Sequence, residues 1–166
     1  MITSPHERAA PRPGLRALRD PVQLLALGFG AGLSPRAPGT AGSLLGLAIA
    51  ILMARWGWWA SAAATAVAVG AGFWICGEGA RRLGVHDHPS IVWDEVAGMM
   101  LAMLAAPPGW GWALLAFALF RLFDIVKPWP IREIDHGMRG GAGIMLDDVL
   151  AGILAALGLL LVRSIT

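Results

Sequence analysis

The sequence predicts an all-α bundle of about four to six membrane helices, some of them short or re-entrant, with its working residues at the cytoplasmic face. Three observations predict it. Hydrophobic residues make up 57% of the 166-residue chain and charged residues only 14%, where a soluble domain carries roughly 25% charge; mean hydropathy is +0.64. In water so short and apolar a chain would expose large greasy patches, so lipid suits it better. Apolar runs recur along the chain between proline, glycine and charge. The charges themselves fall on one side of those runs.

Residues 1–20 read as a basic, flexible tail. Arg8, Arg12, Arg16 and Arg19 are interleaved with Pro5, Pro11 and Pro13, without the apolar core of a signal peptide. Leu15, Leu18 and Val22 suit a short amphipathic piece on the membrane surface. Residues 21–166 form a single membrane-embedded domain with six apolar segments. The first, Gln23 to Leu33, is short and glycine-rich and ends at a Ser34–Thr40 break; whether it crosses, re-enters or lies flat is left open. The next are Ser43 to Ala54, Trp58 to Cys76, Val96 to the Pro107-Pro108 pair, Trp110 to about Val126, and Val149 to Val162. At ~1.5 Å per residue the Trp58–Cys76 run is about 28 Å long, enough for a hydrocarbon core. The small-x-x-x-small pairs Gly42/Gly46 and Ala151/Ala155 suit close helix packing in lipid.

With the N-terminus cytoplasmic and five crossings from Ser43 onward, eleven of the thirteen Lys and Arg residues fall inside, and only Arg55 and Arg163 outside. That is a strong positive-inside signal. All eleven acids, from Glu7 to Asp148, lie on the same side. The loops at Arg55–Gly57 and Ala106–Gly109 are nearly bare. The net charge of +2 gives no footing for nucleic acid.

Carboxylates at the bilayer edge are costly unless they face a cavity, a cation or each other. Here they are Asp94, Glu95, Asp124, Asp147 and Asp148, with Asp87 just outside. Ile91–Gly98 and Ile144–Gly152 echo each other, which suggests two helices entering in one direction with acids at one depth. Asp94 and Asp147 suit helix N-caps. Capping does not explain Asp124, near a helix C-terminus, so Arg121 and Lys127 at i−3 and i+3 are expected to compensate it. Hard oxygen ligands beside cations suit Mg²⁺ and a phosphate. In the Ser34–Ser43 loop, Thr40 or Ser43 is expected to cap the next helix and offer donors to an anion. His86-Asp87-His88 lacks the third histidine of a zinc site, and His136 is isolated. Cys76 fits a C-x5-R spacing with Arg82, but at the end of an apolar helix it reads as a buried thiol rather than a nucleophile. Trp56, Trp58, Trp59, Trp110, Trp112 and Trp129 read as interfacial anchors.

The stretches GFGAGLSPRAPGTAGS (28–43), GVHDHPSIVWDEVAGM (84–99), FRLFDIVKPWPIREID (120–135) and GGAGIMLDDVLAG (140–152) resemble the phosphatidylglycerophosphatase A family of bacterial inner-membrane enzymes. The resemblance spans about residues 21 to 162. It implies Mg²⁺-dependent hydrolysis of the terminal phosphomonoester of phosphatidylglycerophosphate to phosphatidylglycerol and phosphate, in phospholipid biosynthesis. By position, the family's motifs fall on Asp94 and Glu95, on Arg121, Asp124 and Lys127, on Asp147 and Asp148, and on Pro38, Gly39, Thr40 and Ser43. Arg36, His86 and His88 stay outside the expected site.

The resulting expectation is one or two Mg²⁺ ions among Asp87, Glu95, Asp124, Asp147 and Asp148. Catalysis is assigned to Asp94, Glu95, Arg121, Asp124, Lys127 and Asp148. Thr40, Ser43, Arg121, Lys127, Arg132 and Arg139 are expected to hold substrate phosphate. Two alternatives stay open: another Mg²⁺-dependent lipid-headgroup enzyme, and an ion-coupled transporter, which the bare outer face disfavours.

Overall fold

A computed structural model describes residues 12–85, 88–128 and 140–165, and among them every regular element is helical. The helices are α1 (Pro21–Ala26), α2 (Pro38–Ala54), α3 (Trp58–Leu83), α4 (Trp93–Met103), α5 (Trp110–Val126) and α6 (Gly141–Ile165). Short 3-10 turns cover Leu15–Arg19 and Gly28–Leu33. Two helices, α3 and α6, are long and apolar enough to cross a membrane; α2 is apolar but shorter.

Local chemistry sets the ends. Pro38 opens α2 with its fixed φ. The α3 helix closes on Gly84 in the left-handed region, with Arg81 and Arg82 in its last turn beside the negative end of the dipole. Asp20 caps α1, accepting from the Val22 amide at 2.9 Å and the Gln23 amide at 3.3 Å. Gln23 donates to the Gly79 carbonyl at 3.2 Å, and Arg82 pairs with Asp20. These contacts fasten the N-terminal segment to the end of α3.

The Gln23–Leu33 segment is not one helix. Gly28, Phe29 and Gly30 have φ of 53°, 53° and 103°, so the chain turns out of α1 and kinks within the 3-10 segment that follows. Neither piece is long enough to cross. The broken segment is closely fitted: a Cβ on Gly28 would lie 2.8 Å from Val92 Cγ2, and one on Gly32 1.9 Å from the Ser90 carbonyl oxygen.

The shortest of the long helices, α4, is the centre of the bundle and touches α2, α3, α5 and α6. Val96, Ala97, Met99, Met100 and Ala102 are accordingly all buried. One side of the core joins Met99, Phe120, Ala151, Ala155 and Leu159; the other joins Cys76, Ile91, Val96 and Met145. Exposed Leu44, Val67, Trp74, Leu114, Leu157 and Leu161 clothe the outside with apolar side chains.

Glycine makes this closeness feasible. A Cβ on Gly46 would lie 2.5 Å from the Val96 carbonyl oxygen. A Cβ on Gly98 would lie 2.6 Å from the Asp148 carbonyl oxygen and 2.7 Å from the Phe120 ring. Gly98→Ala is therefore expected to lower the melting temperature, at a cost of about 1–3 kcal/mol. An unchanged melting curve would mean that α4 and α6 have room to separate.

The last helix starts eight residues before the expected Val149. Glycines at 140–143 are poor helix formers, but Gly141 packs on α3, where a Cβ would fall 1.9 Å from the Phe73 carbonyl oxygen. Asp147 and Asp148 thus lie inside α6, and Asp147 is not its N-cap. Asp94 is likewise one residue inside α4, whose N-cap is Val92.

Candidate active site

Five helix ends meet on one side of the bundle: the N-termini of α2, α4 and α6 and the C-termini of α3 and α5. The antiparallel alternation of α2 to α5, with α6 parallel to α4, places the charged ends together. Asp94 and Glu95 stand in the first turn of α4, where the helix dipole favours negative charge. Asp148 reaches them from α6. Asp94, Glu95 and Asp148 each offer an oxygen within 4.8 Å of the others.

Asp94 is 7% and Asp148 3% exposed. Asp94 Oδ1, Glu95 Oε2 and Asp148 Oδ1 are buried without a hydrogen-bond partner. Buried carboxylate oxygens in that condition cost several kcal/mol each unless a cation or donor reaches them. The donor set is all carboxylate oxygen, which suits Mg²⁺ and not a soft metal. His88 is buried, but its Nδ1 accepts from the Ser90 amide at 3.1 Å, and it is not part of this cluster.

The cations are held beside the cluster. Arg121 on α5 ion-pairs with Asp124 one turn on, and its Nη1 donates to Ser43 Oγ at 3.3 Å. Ser43 donates in turn to the Gly39 carbonyl at 2.8 Å. Ser43 is fully buried inside α2 and does not cap it; Ala37 is the N-cap, without a side-chain bond. Thr40, half-buried in the first turn of α2, is not the cap either. Lys127 does not share Asp124's helix face. It leaves α5 with φ 43° and bonds Asp147 Oδ2 at 2.7 Å. The following Pro128 disfavours helical backbone at Lys127, a signal the i+3 spacing argument overlooked.

The structure therefore brings together Asp94, Glu95 and Asp148 and sets the Arg121–Asp124 and Lys127–Asp147 pairs beside them. Asp124, Asp147 and Lys127 all lie within electrostatic range of Asp148. Asp94 stands among the candidate metal ligands, where the sequence suggested only a catalytic role. Gly39 is the residue the sequence reading undervalued: it lies so close that a Cβ there would sit 2.3 Å from Glu95 Oε1. Asp87, Arg132 and Arg139, also expected at this site, lie outside the described residues.

Comparison with known proteins gives the family. The family model described as phosphatidylglycerophosphatase A matches residues 24–163. A phosphatidylglycerophosphatase A of Escherichia coli K12 is 44% identical over 84% of this chain and 81% of its own length. Its namesake from Haemophilus influenzae is 48% identical over 85% of this chain and 88% of its own. A Bacteroides thetaiotaomicron protein, provisionally named a phosphatidylinositol-3-phosphatase, is 41% identical over 78% of this chain and 86% of its own. No solved structure matches. A family match across nearly the whole bundle, carrying every described residue of the acidic cluster and its paired cations, leaves one conclusion: the chain belongs to the phosphatidylglycerophosphatase A family.

Proposed function

We propose that this protein hydrolyses the terminal phosphomonoester of phosphatidylglycerophosphate, with Mg²⁺, at the cytoplasmic face of a bacterial inner membrane, as a step of phospholipid biosynthesis. The observation that carries the reading is the trio of orphaned carboxylate oxygens on Asp94, Glu95 and Asp148, set beside two ion-paired cations in an apolar bundle. The names of the two phosphatidylglycerophosphatase A relatives supply the headgroup.

Asp94, Glu95 and Asp148 would hold the ion. Bound there, Mg²⁺ supplies charge neutralisation at phosphate oxygens and an acidified water. Arg121, aimed by Asp124 and Ser43, offers guanidinium donors to the phosphoryl oxygens, where charge-assisted bonds are strongest. Lys127, steered by Asp147, adds a second positive charge. Ser43 spends its own proton on Gly39, so it positions Arg121 rather than gripping phosphate. Thr40 lies where the free amides of the first turn of α2 favour an anion. In the reaction a water oxygen attacks phosphorus, the P–O bond to the glycerol oxygen opens, and that oxygen leaves as an alcohol after taking a proton. The inner phosphodiester falls to Arg132 and Arg139 by sequence position, and Asp87 remains a further acid of this set on the same basis.

The test is phosphate release from phosphatidylglycerophosphate in detergent, with Mg²⁺, with EDTA, and with Mg²⁺ restored. Release that stops in EDTA and returns with Mg²⁺ is expected. Failure of folded protein to release phosphate, or release indifferent to EDTA, would overturn the reading. Phosphatidylinositol 3-phosphate belongs in the same assay because of the Bacteroides relative's name. It is expected to react more slowly; a faster rate would reassign the headgroup.

A further inference from the structure

At the end of the bundle away from the carboxylates lies a cavity of about 570 Å³, within the ~300–1,000 Å³ range of small-molecule sites. It opens between the C-terminal ends of α2 and α4 and the N-terminal ends of α3 and α5. Ala50, Ile51, Met100, Met103 and Ala113 wall it. Its polar neighbours are already engaged. Thr65 donates to the Ser61 carbonyl at 2.8 Å, Ser61 to the Gly57 carbonyl at 3.3 Å, and the Trp58 indole to the Leu104 carbonyl at 3.2 Å. Buried water needs about two to four polar partners, and these walls hold few free ones.

Among the described residues one formal charge lines the cavity, Arg55, exposed in the turn between α2 and α3. It makes no ion pair among the described residues. Trp58 and Trp110, 56% and 74% exposed, stand on the rim, as amphipathic rings do at a membrane interface. An apolar chamber with one unpaired cation at its mouth fits an amphiphile with a negative head.

The substrate's own tails do not account for it. From Gly39, at the acidic cluster, to Ala50, on the cavity wall, α2 rises about 16 Å. One leaflet of hydrocarbon is half of roughly 30 Å, so a lipid presented to the acidic end finishes about where the cavity begins.

We propose that the cavity binds an acyl chain of an anionic phospholipid from the opposite leaflet, with the headgroup phosphate on Arg55. Among the described residues the lining contains no carboxylate, so the ammonium of a zwitterionic lipid finds no partner there, and a net negative headgroup is preferred. This site shares with the proposed phosphatase reading only the membrane setting.

The test uses the full chain in uncharged detergent, with melting temperature and lipid affinity measured for added phosphatidylmethanol, an anionic phosphodiester that is neither substrate nor product of the proposed reaction, and phosphatidylcholine of equal chain length. The wild type should gain more from phosphatidylmethanol. Arg55→Gln should weaken that affinity about tenfold, the value of one charge-assisted contact, and erase the difference between the two lipids. Ala54→Phe, which narrows the mouth, should weaken both. Both variants should release phosphate from phosphatidylglycerophosphate at the wild-type rate, so loss of lipid binding is distinguishable from failure of the phosphatase reading. Equal binding of the two lipids by the wild type, or undiminished preference in Arg55→Gln, would overturn the proposal.

Discussion

Asp148→Asn is expected to abolish phosphate release while raising the melting temperature of the metal-free protein. Asp148 is nearly wholly buried, and its Oδ1 has no partner. Its carboxylate shares one small volume with those of Asp94 and Glu95. Among the described residues no salt bridge joins a cation to any of the three. Without metal, three clustered acids, each with a buried unpartnered oxygen, repel one another and lose hydration; neutralising one relieves about 1–3 kcal/mol of that cost, or a few degrees. Asn keeps the shape and one acceptor but not the charge that holds a divalent ion. The rate should fall on the order of a thousandfold or more. Mg²⁺ should raise the melting temperature of the wild type by mass action and leave the variant's unchanged. A rate within a few fold of wild type would remove Asp148 from the machinery. A lower metal-free melting temperature would make it a structural support instead.

Much of this site was legible because charge is rare in so apolar a chain. Asp94, Glu95 and Asp148 stand out against their neighbours, and the echo between Ile91–Gly98 and Ile144–Gly152 suggests that they enter at one depth, as they do. Helix phase was not legible. Adjacent helical residues point about 100° apart, so Asp148 turns towards α4 while Asp147 turns to Lys127. Both acids of α4 can face the cluster because α4 is enclosed by its neighbours on every side. Helix limits failed where glycine was involved. The sequence at 140–148 reads as a poor helix until α3 is placed against Gly141. The Gln23–Leu33 segment reads as one apolar run until left-handed Phe29 divides it. In both places the tertiary contact, not the local preference, decides.

Gly39 offers the most direct test of how the two halves of the site are joined. It is the second residue of α2, and its carbonyl accepts from Ser43, which accepts from Arg121. On its other side lies the Glu95 carboxylate. Gly39→Ala would place a Cβ 2.3 Å from Glu95 Oε1 and 3.4 Å from Arg121 Nη1. Alanine is the better helix former by up to about 1 kcal/mol, and the obstructing atom is the far end of a flexible side chain. The fold should therefore survive, with stability changed by no more than about 1 kcal/mol. The displaced carboxylate should lower kcat by on the order of a hundredfold, since small misplacement of a reacting group has that effect. Phosphate release and thermal melting, measured together, separate this from misfolding. If the loss comes from the collision, shortening the obstructing side chain should relieve it. Gly39→Ala/Glu95→Asp should then be more active than Gly39→Ala alone, although Glu95→Asp by itself is expected to be slower than wild type. Wild-type activity in Gly39→Ala, or a double variant slower than both single ones, would show that Glu95 is not held in its working position by the bare backbone of α2.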